Sequence, residues 1–152
     1  MQCERAWLRE IRSAWRQGMF MNARARVLVA DDHAVMLDSL VRLLSAQFDV
    51  VAAVSDGVAV VNKARQLTPD LLVLDIAMPR LNGIAAAARL KELGSTAKIV
   101  FVTNLHDREF LEGSLELGDV GFVVKDRLVA DLLPAVRTVL SGRSFVSPSM
   151  AE

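Results

Sequence analysis

From residue 26 onward, the chain alternates short apolar runs with longer amphipathic stretches. The short runs are rich in Val, Leu and Ile and lack polar alternation, as in buried strands. In the longer stretches, apolar residues recur every three or four positions, which is typical of a helix packed on one side. The pattern predicts five strands, at residues 26–30, 49–54, 71–74, 98–102 and 120–124. It predicts helices at residues 35–44, 58–67, 84–93, 107–117 and 129–140.

Glycine or proline follows the end of most of the predicted helices. Thr68-Pro69 follows the second helix, and Gly94, Gly118 and Gly142 follow the later ones. Five strand–helix units joined by short loops, with strands that are apolar on both faces, indicate a parallel sheet covered by helices on both sides. The predicted fold class is therefore α/β, an open doubly wound (βα)5 sheet.

Composition restricts the function classes. At 152 residues and 53% hydrophobic content, the chain suits a single folded domain and is not a disordered segment. One cysteine excludes an internal disulfide framework. The longest apolar runs are far shorter than the roughly 20 residues of a membrane span, and Arg and Glu interrupt the first 21 residues, where a signal peptide would lie. We therefore expect a cytoplasmic protein and no membrane association.

Charge is distributed unevenly along the chain. Residues 1–26 contain six Arg and two Glu, a net +4, whereas residues 27–152 contain 12 basic and 16 acidic residues, a net −4. With no net charge overall, we expect no direct nucleic-acid binding by this chain. Trp7 and Trp15 would lie within one apolar arc if residues 1–21 were helical. This basic, amphipathic extension is either a docking arm or sequence upstream of a translation start at Met21.

Polar side chains follow four of the five predicted strands. Asp31 and Asp32 follow the first strand, Asp75 the third, Thr103 the fourth and Lys125 the fifth. Taken singly, an Asp after a strand is usually a turn residue or a helix cap. If the strand order is 2-1-3-4-5, however, the three carboxylates converge beside a hydroxyl and an ammonium group at the edge where such sheets bind ligands.

Three adjacent carboxylates repel one another unless a cation neutralises them. Oxygen ligands alone favour a hard cation, and Mg²⁺ fits best. Because Mg²⁺ commonly accepts phosphate oxygens, the cluster indicates phosphoryl chemistry, with Lys125 and Thr103 contacting phosphoryl oxygens. A carboxylate can itself act as the nucleophile and form an aspartyl phosphate.

Four motifs make the chain resemble the receiver domains of two-component response regulators over residues 25–148. They are Val29–His33, Leu74–Pro79, Val102-Thr103 and Gly121–Asp126. Details around His33 and Asp126, and the segment 141–148, are most similar to the NarL/FixJ branch. The resemblance implies a flavodoxin-like fold with five parallel strands in the order 2-1-3-4-5.

The resemblance also implies a role for each site residue. Asp75 would accept a phosphoryl group from a sensor histidine kinase or a phosphotransfer protein. Mg²⁺ would be held by Asp31, Asp32 and Asp75, with Asp32 the closer of the acidic pair, and by the backbone carbonyl of Ala77. Lys125 and Thr103 would assist the transfer, and the chain would otherwise catalyse only its own dephosphorylation.

The resemblance further implies an output switch. Thr103 and Phe122 would form the switch pair, changing the surface formed by the predicted helix at 107–117, the fifth strand and the last helix. Homodimerisation and a role in transcriptional control are the expected outputs. The expected organisation is an extension at 1–22, a receiver domain at 23–142 and a linker or tail at 143–152.

Some positions depart from the family pattern. Regulators of this branch normally carry a helix-turn-helix domain after the linker, and we expect no such DNA-binding domain in this chain. Asn104 replaces a smaller residue beside the site and is expected to slow phosphoryl exchange. Phe122 lacks a hydroxyl group, and Ala77 is apolar where a polar side chain is common.

Two other functions are compatible with parts of the pattern. One is a binding module that retains the receiver fold but works without phosphorylation. The other is a phosphatase of the haloacid dehalogenase type, which also uses an aspartate nucleophile. That enzyme class needs a second Asp two residues after the nucleophile, where this chain has Ala77, and its nucleophile follows the first strand.

Overall fold

A computed structural model describes residues 24–104, 112–114 and 116–148. It contains one sheet of six strands, flanked by helices. The strands are β1 (Arg26–Ala30), β2 (Asp49–Val54), β3 (Leu71–Asp75), β4 (Lys98–Thr103), β5 (Val120–Val124) and β6 (Phe145–Val146). The helices are α1 (Ala34–Ser45), α2 (Gly57–Leu67), α3 (Gly83–Glu92) and α4 (Leu128–Leu140), and a short 3-10 turn, Lys125–Arg127, precedes α4.

The strand order is β2-β1-β3-β4-β5-β6, and every neighbouring pair is parallel. The predicted doubly wound fold and the order 2-1-3-4-5 are therefore confirmed. Parallel neighbours require crossover connections, and helices α1 to α4 provide those that lie wholly in the described part of the chain. Because the order reverses at β1, the carboxyl ends of β1 and β3 lie side by side at the switch point of the sheet.

The core is divided by the sheet into two layers. On one face, side chains such as Leu28, Phe101 and Phe122 pack against apolar residues of α2 and α3. On the other face, residues such as Val29 and Val100 pack against α1 and α4. All five residues of β3 and of β5 are buried, which explains why these strands show no polar alternation.

A sixth strand extends the sheet beyond the five that the sequence predicts. Phe145 and Val146 pair with Gly121 and Phe122 of β5. The next residue, Ser147, is fully buried: its N–H donates to the Phe122 carbonyl over 2.9 Å. A two-residue strand is too short to produce a recognisable apolar pattern, so the prediction of five strands was wrong by one.

The Ser147 hydroxyl fastens this segment to two elements. It accepts a hydrogen bond from the Val124 N–H (3.1 Å) and donates to Asp131 Oδ2 at 2.8 Å. Arg127 Nε also donates to Asp131 Oδ2, over 3.0 Å. The region assigned above to a tail after residue 142 thus contacts β5 and α4, although the domain limits themselves remain a prediction.

Two predicted segments lie wholly or mostly outside the described residues. The N-terminal extension at 1–22 is one of them. Of the helix predicted at 107–117, residues 112–114 are helical, and most of the remainder is not described. Among the residues that are described, no helix is both long and apolar enough to cross a membrane.

Gly83 allows α3 to begin directly against the end of β3. A Cβ atom at this position would overlap the carbonyl oxygen of Asp75. We expect Gly83→Ala to lower the free energy of unfolding by roughly 2–3 kcal/mol, because either backbone must move. Gly113→Ala is the matched control, since a Cβ atom there meets none of the described residues within 4 Å. Urea denaturation checks both variants, and equal stability of the two would contradict this account of the contact.

Candidate functional site

The polar residues predicted at the strand ends converge in the structure. Asp31 follows β1, Asp75 ends β3, Thr103 ends β4 and Lys125 follows β5. The parallel register places Asp75 opposite Val102, and Thr103 opposite Val124, so these ends lie at the same level. The strand order therefore brings Asp75 between the residues that follow β1 and those that end β4.

Lys125 forms ion pairs with two carboxylates of the site. Its Nζ lies 3.2 Å from Asp31 Oδ2 and 3.3 Å from Asp75 Oδ2. The side chain of Asp31 is fully buried and that of Asp75 is 4% exposed, whereas Lys125 remains 12% exposed. Within the described part of the chain, no hydrogen bond reaches either Oδ2 atom, and each of the two forms an ion pair with Lys125. Two buried negative charges thus share one cation.

The shortage of positive charge changes the proton affinity of Asp75. Burial, and then the charge of Asp31, raise the pKa of Asp75 from 3.8 to about 6, against the opposing effect of Lys125. Burial by itself lowers the pKa of Lys125, but the adjacent Asp75 and Asp31 carboxylates outweigh it and leave this pKa raised. The site therefore favours additional positive charge close to Asp75.

The cluster has the composition of a metal site. Asp31, Asp32, His33 and Asp75 each offer one ligand atom, and these atoms lie within 4.8 Å of one another. The buried Oδ2 atoms without hydrogen bonds, and the raised pKa of Asp75, show that the carboxylates are incompletely neutralised. The donor set, three carboxylates and an imidazole, fits a divalent cation.

His33 is the residue whose position the sequence did not reveal. From sequence, His33 is a possible base or metal ligand, but one histidine after two aspartates more often only begins a helix. It does occupy the N-cap of α1, but its side chain makes no capping hydrogen bond. Instead, its Nδ1 lies 3.1 Å from Asp32 Oδ1. The one available signal was its place immediately after Asp31 and Asp32.

The remaining predicted site residues lie where the strand pattern expects them, and their roles remain predictions. Thr103 is 1% exposed at the end of β4. The ring of Phe122 is fully buried and packs against Phe101, with centroids 6.4 Å apart. Ala77 and Asn104 are exposed beside the cluster, in the loops that follow β3 and β4.

A cavity in the described region lies away from this site. It has a volume of about 1040 Å³ and lies at the amino ends of the strands, where Ala25, Asp70 and Lys98 line it. The clustered carboxylates lie at the opposite edge of the sheet, where Asp31 and Asp75 are buried and Asp32 is partly exposed. The cavity and the acidic cluster therefore lie at opposite edges of the sheet. Because the cluster contains the buried charged side chains, it is the stronger candidate for the functional site.

Comparison with known proteins identifies the family. The model of the response regulator receiver domain matches residues 27–137. The response regulator GacA of Pseudomonas viridiflava is 33% identical over 130 residues, covering 84% of this chain and 60% of GacA. The oxygen regulatory protein NreC of Staphylococcus epidermidis is 36% identical over 124 residues, covering 80% and 57%. This chain thus spans about 60% of the length of these relatives.

Solved structures agree with the sequence relatives. A LuxR-family two-component response regulator from Aurantimonas sp. SI85-9A1 superposes with a TM-score of 0.78 at 30% identity, covering 84% of this chain and 93% of that one. The receiver domain of a putative response regulator NarL from Mycobacterium tuberculosis gives a TM-score of 0.74 at 28% identity, covering 79% and 98%. Both names support the NarL/FixJ branch.

One further structure bears on nucleic acids. RcsB dimers bound to DNA superpose with a TM-score of 0.76 at 26% identity, covering 84% of this chain and 66% of RcsB. The expectation that this chain binds no nucleic acid is therefore not supported.

The fold, the position of the acidic cluster and the matched family model agree with one another. The chain belongs to the response regulator receiver domain family, and it is a receiver domain of the NarL/FixJ type.

Proposed function

We propose that Asp75 is the phosphoacceptor of a signalling switch. The observation that carries this proposal is the Lys125 ammonium, which lies 3.2 Å from Asp31 and 3.3 Å from Asp75. It orients the Asp75 carboxylate at the carboxyl edge of the sheet, where an incoming phosphoryl group can reach it. Asp31 is fully buried, whereas Asp75 keeps 4% of its side chain exposed at the end of the central β3, so Asp75 is the nucleophile.

The transfer requires only a few groups of this chain. An Asp75 carboxylate oxygen attacks phosphorus, the P–N bond of a donor phosphohistidine breaks, and the donor imidazole leaves. Lys125 stabilises the negative charge on the phosphoryl oxygens, and the Thr103 hydroxyl donates to one of them. Because the pKa of Asp75 is about 6 without a cation, the carboxylate is mostly ionised at neutral pH and can act as the nucleophile.

Mg²⁺ is the cation that we propose for the acidic cluster. Asp31, Asp32, Asp75 and the Ala77 carbonyl would hold it. When bound, it neutralises carboxylate charge and the charge of phosphoryl oxygens. The Asp32 side chain is 32% exposed, so a cation bound at Asp32 would be accessible to solvent and could exchange with it.

The partner that donates the phosphoryl group is a histidine kinase or a phosphotransfer protein. The output of phosphorylation is a conformational change in the surface around β5. Thr103 ends β4 and Phe122 lies within β5, so movement of the Thr103 hydroxyl toward a phosphoryl group is transmitted to the neighbouring strand. GacA and NreC are regulators longer than this chain. By analogy with them, we propose transcriptional control by homodimerisation, as part of a longer regulator or through a separate partner.

Phosphorylation of the wild-type chain tests the proposal. Incubation with Mg²⁺ and acetyl phosphate is expected to add one phosphoryl mass per chain in an intact mass spectrum. EDTA is expected to suppress the gain, and peptide mapping after borohydride reduction should place it at Asp75. Absence of any gain with Mg²⁺ and also with a phosphorylated kinase domain would favour the binding module that works without phosphorylation.

A further inference from the structure

We propose that Ser147 is a positioning residue for phosphoryl transfer, and that it acts by holding the backbone on both sides of Lys125. The Lys125 ammonium contacts Asp31 and Asp75 in the acidic cluster. The inference rests on the proposed function and deepens it, because it names a residue outside the cluster on which the placement of this ammonium depends.

The first argument is the hydrogen bond at the end of β5. Val124, directly before Lys125, donates its N–H to the buried Ser147 hydroxyl over 3.1 Å. Phe122, two residues earlier in the same strand, accepts from the Ser147 N–H over 2.9 Å. Ser147 thus contacts β5 with its backbone and also with its side chain. The side-chain contact is the one that reaches the residue next to Lys125.

The second argument is the Asp131 carboxylate, which connects Ser147 to the other side of Lys125. Ser147 Oγ donates to Asp131 Oδ2 over 2.8 Å, and Arg127 Nε donates to the same oxygen over 3.0 Å. Arg127 is the last residue of the 3-10 turn that Lys125 begins. Because the Ser147 hydroxyl both accepts and donates a hydrogen bond, its orientation is fixed. The strand before Lys125 and the turn after it are therefore tied to one buried hydroxyl.

The third argument is the burial of this network. Ser147 is fully buried and the Asp131 side chain is 8% exposed. An exposed aspartate in the first turn of α4 would complement the helix dipole equally well, so the dipole does not account for this burial. A buried network whose members are hydrogen-bonded makes its surroundings rigid. Rigidity next to Lys125 serves the transfer, because misplacing a group by about 1 Å costs on the order of a hundredfold in rate.

Chemical labelling of Lys125 tests the assignment without a phosphodonor. Acetic anhydride acylates lysine side chains more slowly where ion pairs and burial protect them, and peptide mass spectrometry measures the rate at each lysine. We expect Ser147→Ala to raise the rate at Lys125 several-fold, and to leave unchanged the rate at the half-buried Lys98, at the start of β4. A rise at both lysines would indicate general loosening, and no rise at Lys125 would indicate no positioning; either result overturns the proposal.

Ser144→Ala is the matched control for the loss of a hydroxyl group. Ser144 lies in the same segment of the chain, but it is exposed, and its hydroxyl contacts Asp119 at 3.4 Å. This substitution should leave both the labelling of Lys125 and the rate of phosphorylation at their wild-type values. A change as large as that in Ser147→Ala would assign the effect to the whole segment and would overturn the role of the Ser147 hydroxyl.

The rate of phosphorylation tests the consequence for the transfer. With acetyl phosphate and saturating Mg²⁺, the rate measured by intact mass should fall by roughly tenfold in Ser147→Ala. The Mg²⁺ concentration that gives half of the maximal rate should not rise, because the hydrogen bonds of Ser147 go to β5 and α4 and not to the proposed metal ligands. A rise in this concentration would point to general loosening of the site and would overturn the positioning role.

Two variants of Asp131 test the link to the turn. Asp131→Asn keeps an oxygen that can accept from both Ser147 and Arg127, whereas Asp131→Ala removes it. We expect Asp131→Ala to raise the labelling of Lys125 as Ser147→Ala does, and Asp131→Asn to retain most of the protection. Equal labelling in the two Asp131 variants would overturn the role of this link.

The two measurements separate this inference from the proposed function. If wild type takes up no phosphoryl group, the proposed function fails, and the labelling of Lys125 still decides whether Ser147 positions it. If wild type is phosphorylated, and Ser147→Ala matches it in both rate and labelling, only the role of Ser147 is refuted.

Discussion

Asp75→Asn is expected to abolish incorporation of the phosphoryl group, since an amide offers no carboxylate oxygen for attack on phosphorus. The variant should still fold, because the two side chains are nearly the same shape. Intact mass after incubation with Mg²⁺ and acetyl phosphate measures the loss. Asp49→Asn is the control, as Asp49 is an exposed carboxylate on β2, remote from the carboxyl edge of the sheet. Labelling of Asp75→Asn at the wild-type level would refute the assignment.

The same variant is expected to be more stable than wild type when no metal is bound. The folded-state pKa of Asp75 is about 6, against 3.8 for the ordinary carboxyl. The folded protein therefore binds this proton more tightly than the unfolded chain does. Wild type gains stability as pH falls from about 6 toward 4, and it carries the full penalty above pH 6. Removing the charge should raise the free energy of unfolding at pH 7.5 by on the order of 1–3 kcal/mol.

Urea denaturation in EDTA at several pH values checks this dependence. The advantage of Asp75→Asn should be largest above pH 7 and should shrink toward pH 4, where wild-type Asp75 is protonated in the folded state. A constant advantage across this range would mean that the gain comes from packing and not from charge. Addition of millimolar Mg²⁺ should stabilise wild type more than the variant, which lacks one of the ligand carboxylates.

Lys125→Met is expected to cause the largest loss of stability of any single change at the site. Its ammonium is the cation that both Asp31 and Asp75 contact, and methionine leaves these buried carboxylates without it. Removing one partner of a buried ion pair costs about 3–5 kcal/mol. The exposed Lys63 on α2 provides the control, Lys63→Met. Thermal or urea unfolding at pH 7.5 in EDTA measures the difference between the two variants.

The pH dependence of Lys125→Met distinguishes charge from packing. Lys125 opposes the rise in the pKa of Asp75, so without it Asp75 takes up a proton at a higher pH than in wild type, and acidification removes one of the two uncompensated charges. The deficit relative to wild type should therefore shrink on acidification and grow above pH 7. If Lys125→Met and Lys63→Met are equally stable at pH 7.5, the ion pairs of Lys125 contribute little to the fold. Phosphorylation of Lys125→Met should also be strongly reduced.

The sequence predicts the sheet and the charged edge well because both depend on local patterns. The runs at residues 71–74 and 120–124 are apolar throughout since both faces of those strands are covered. In a parallel sheet, topology alone places the residue that follows each strand. The predicted strand order is therefore sufficient to assign Asp31, Asp75 and Lys125 to one edge.

Features that depend on side-chain direction or on distant partners were not predictable in this way. His33 occupies a helix cap, where residue type alone suggests a structural role, and only the turn formed with Asp31 directs its ring toward the carboxylates. Phe145–Val146 becomes a strand because Ser147 is held by Val124 and Asp131, which are 23 and 16 residues away in the chain. Neither contact leaves a periodic signal in the sequence.

The sixth strand covers β5, which would otherwise be the edge strand on this side of the sheet. Without Phe145–Ser147, the Phe122 carbonyl and the Val124 N–H would lose their partners, and β5 would become an open edge. Open strand edges pair with other chains and promote aggregation. A fragment cut at residue 142 would thus expose a short, fully apolar strand to association with itself. Keeping the chain through Pro148 retains both the covering strand and the serine that fastens it.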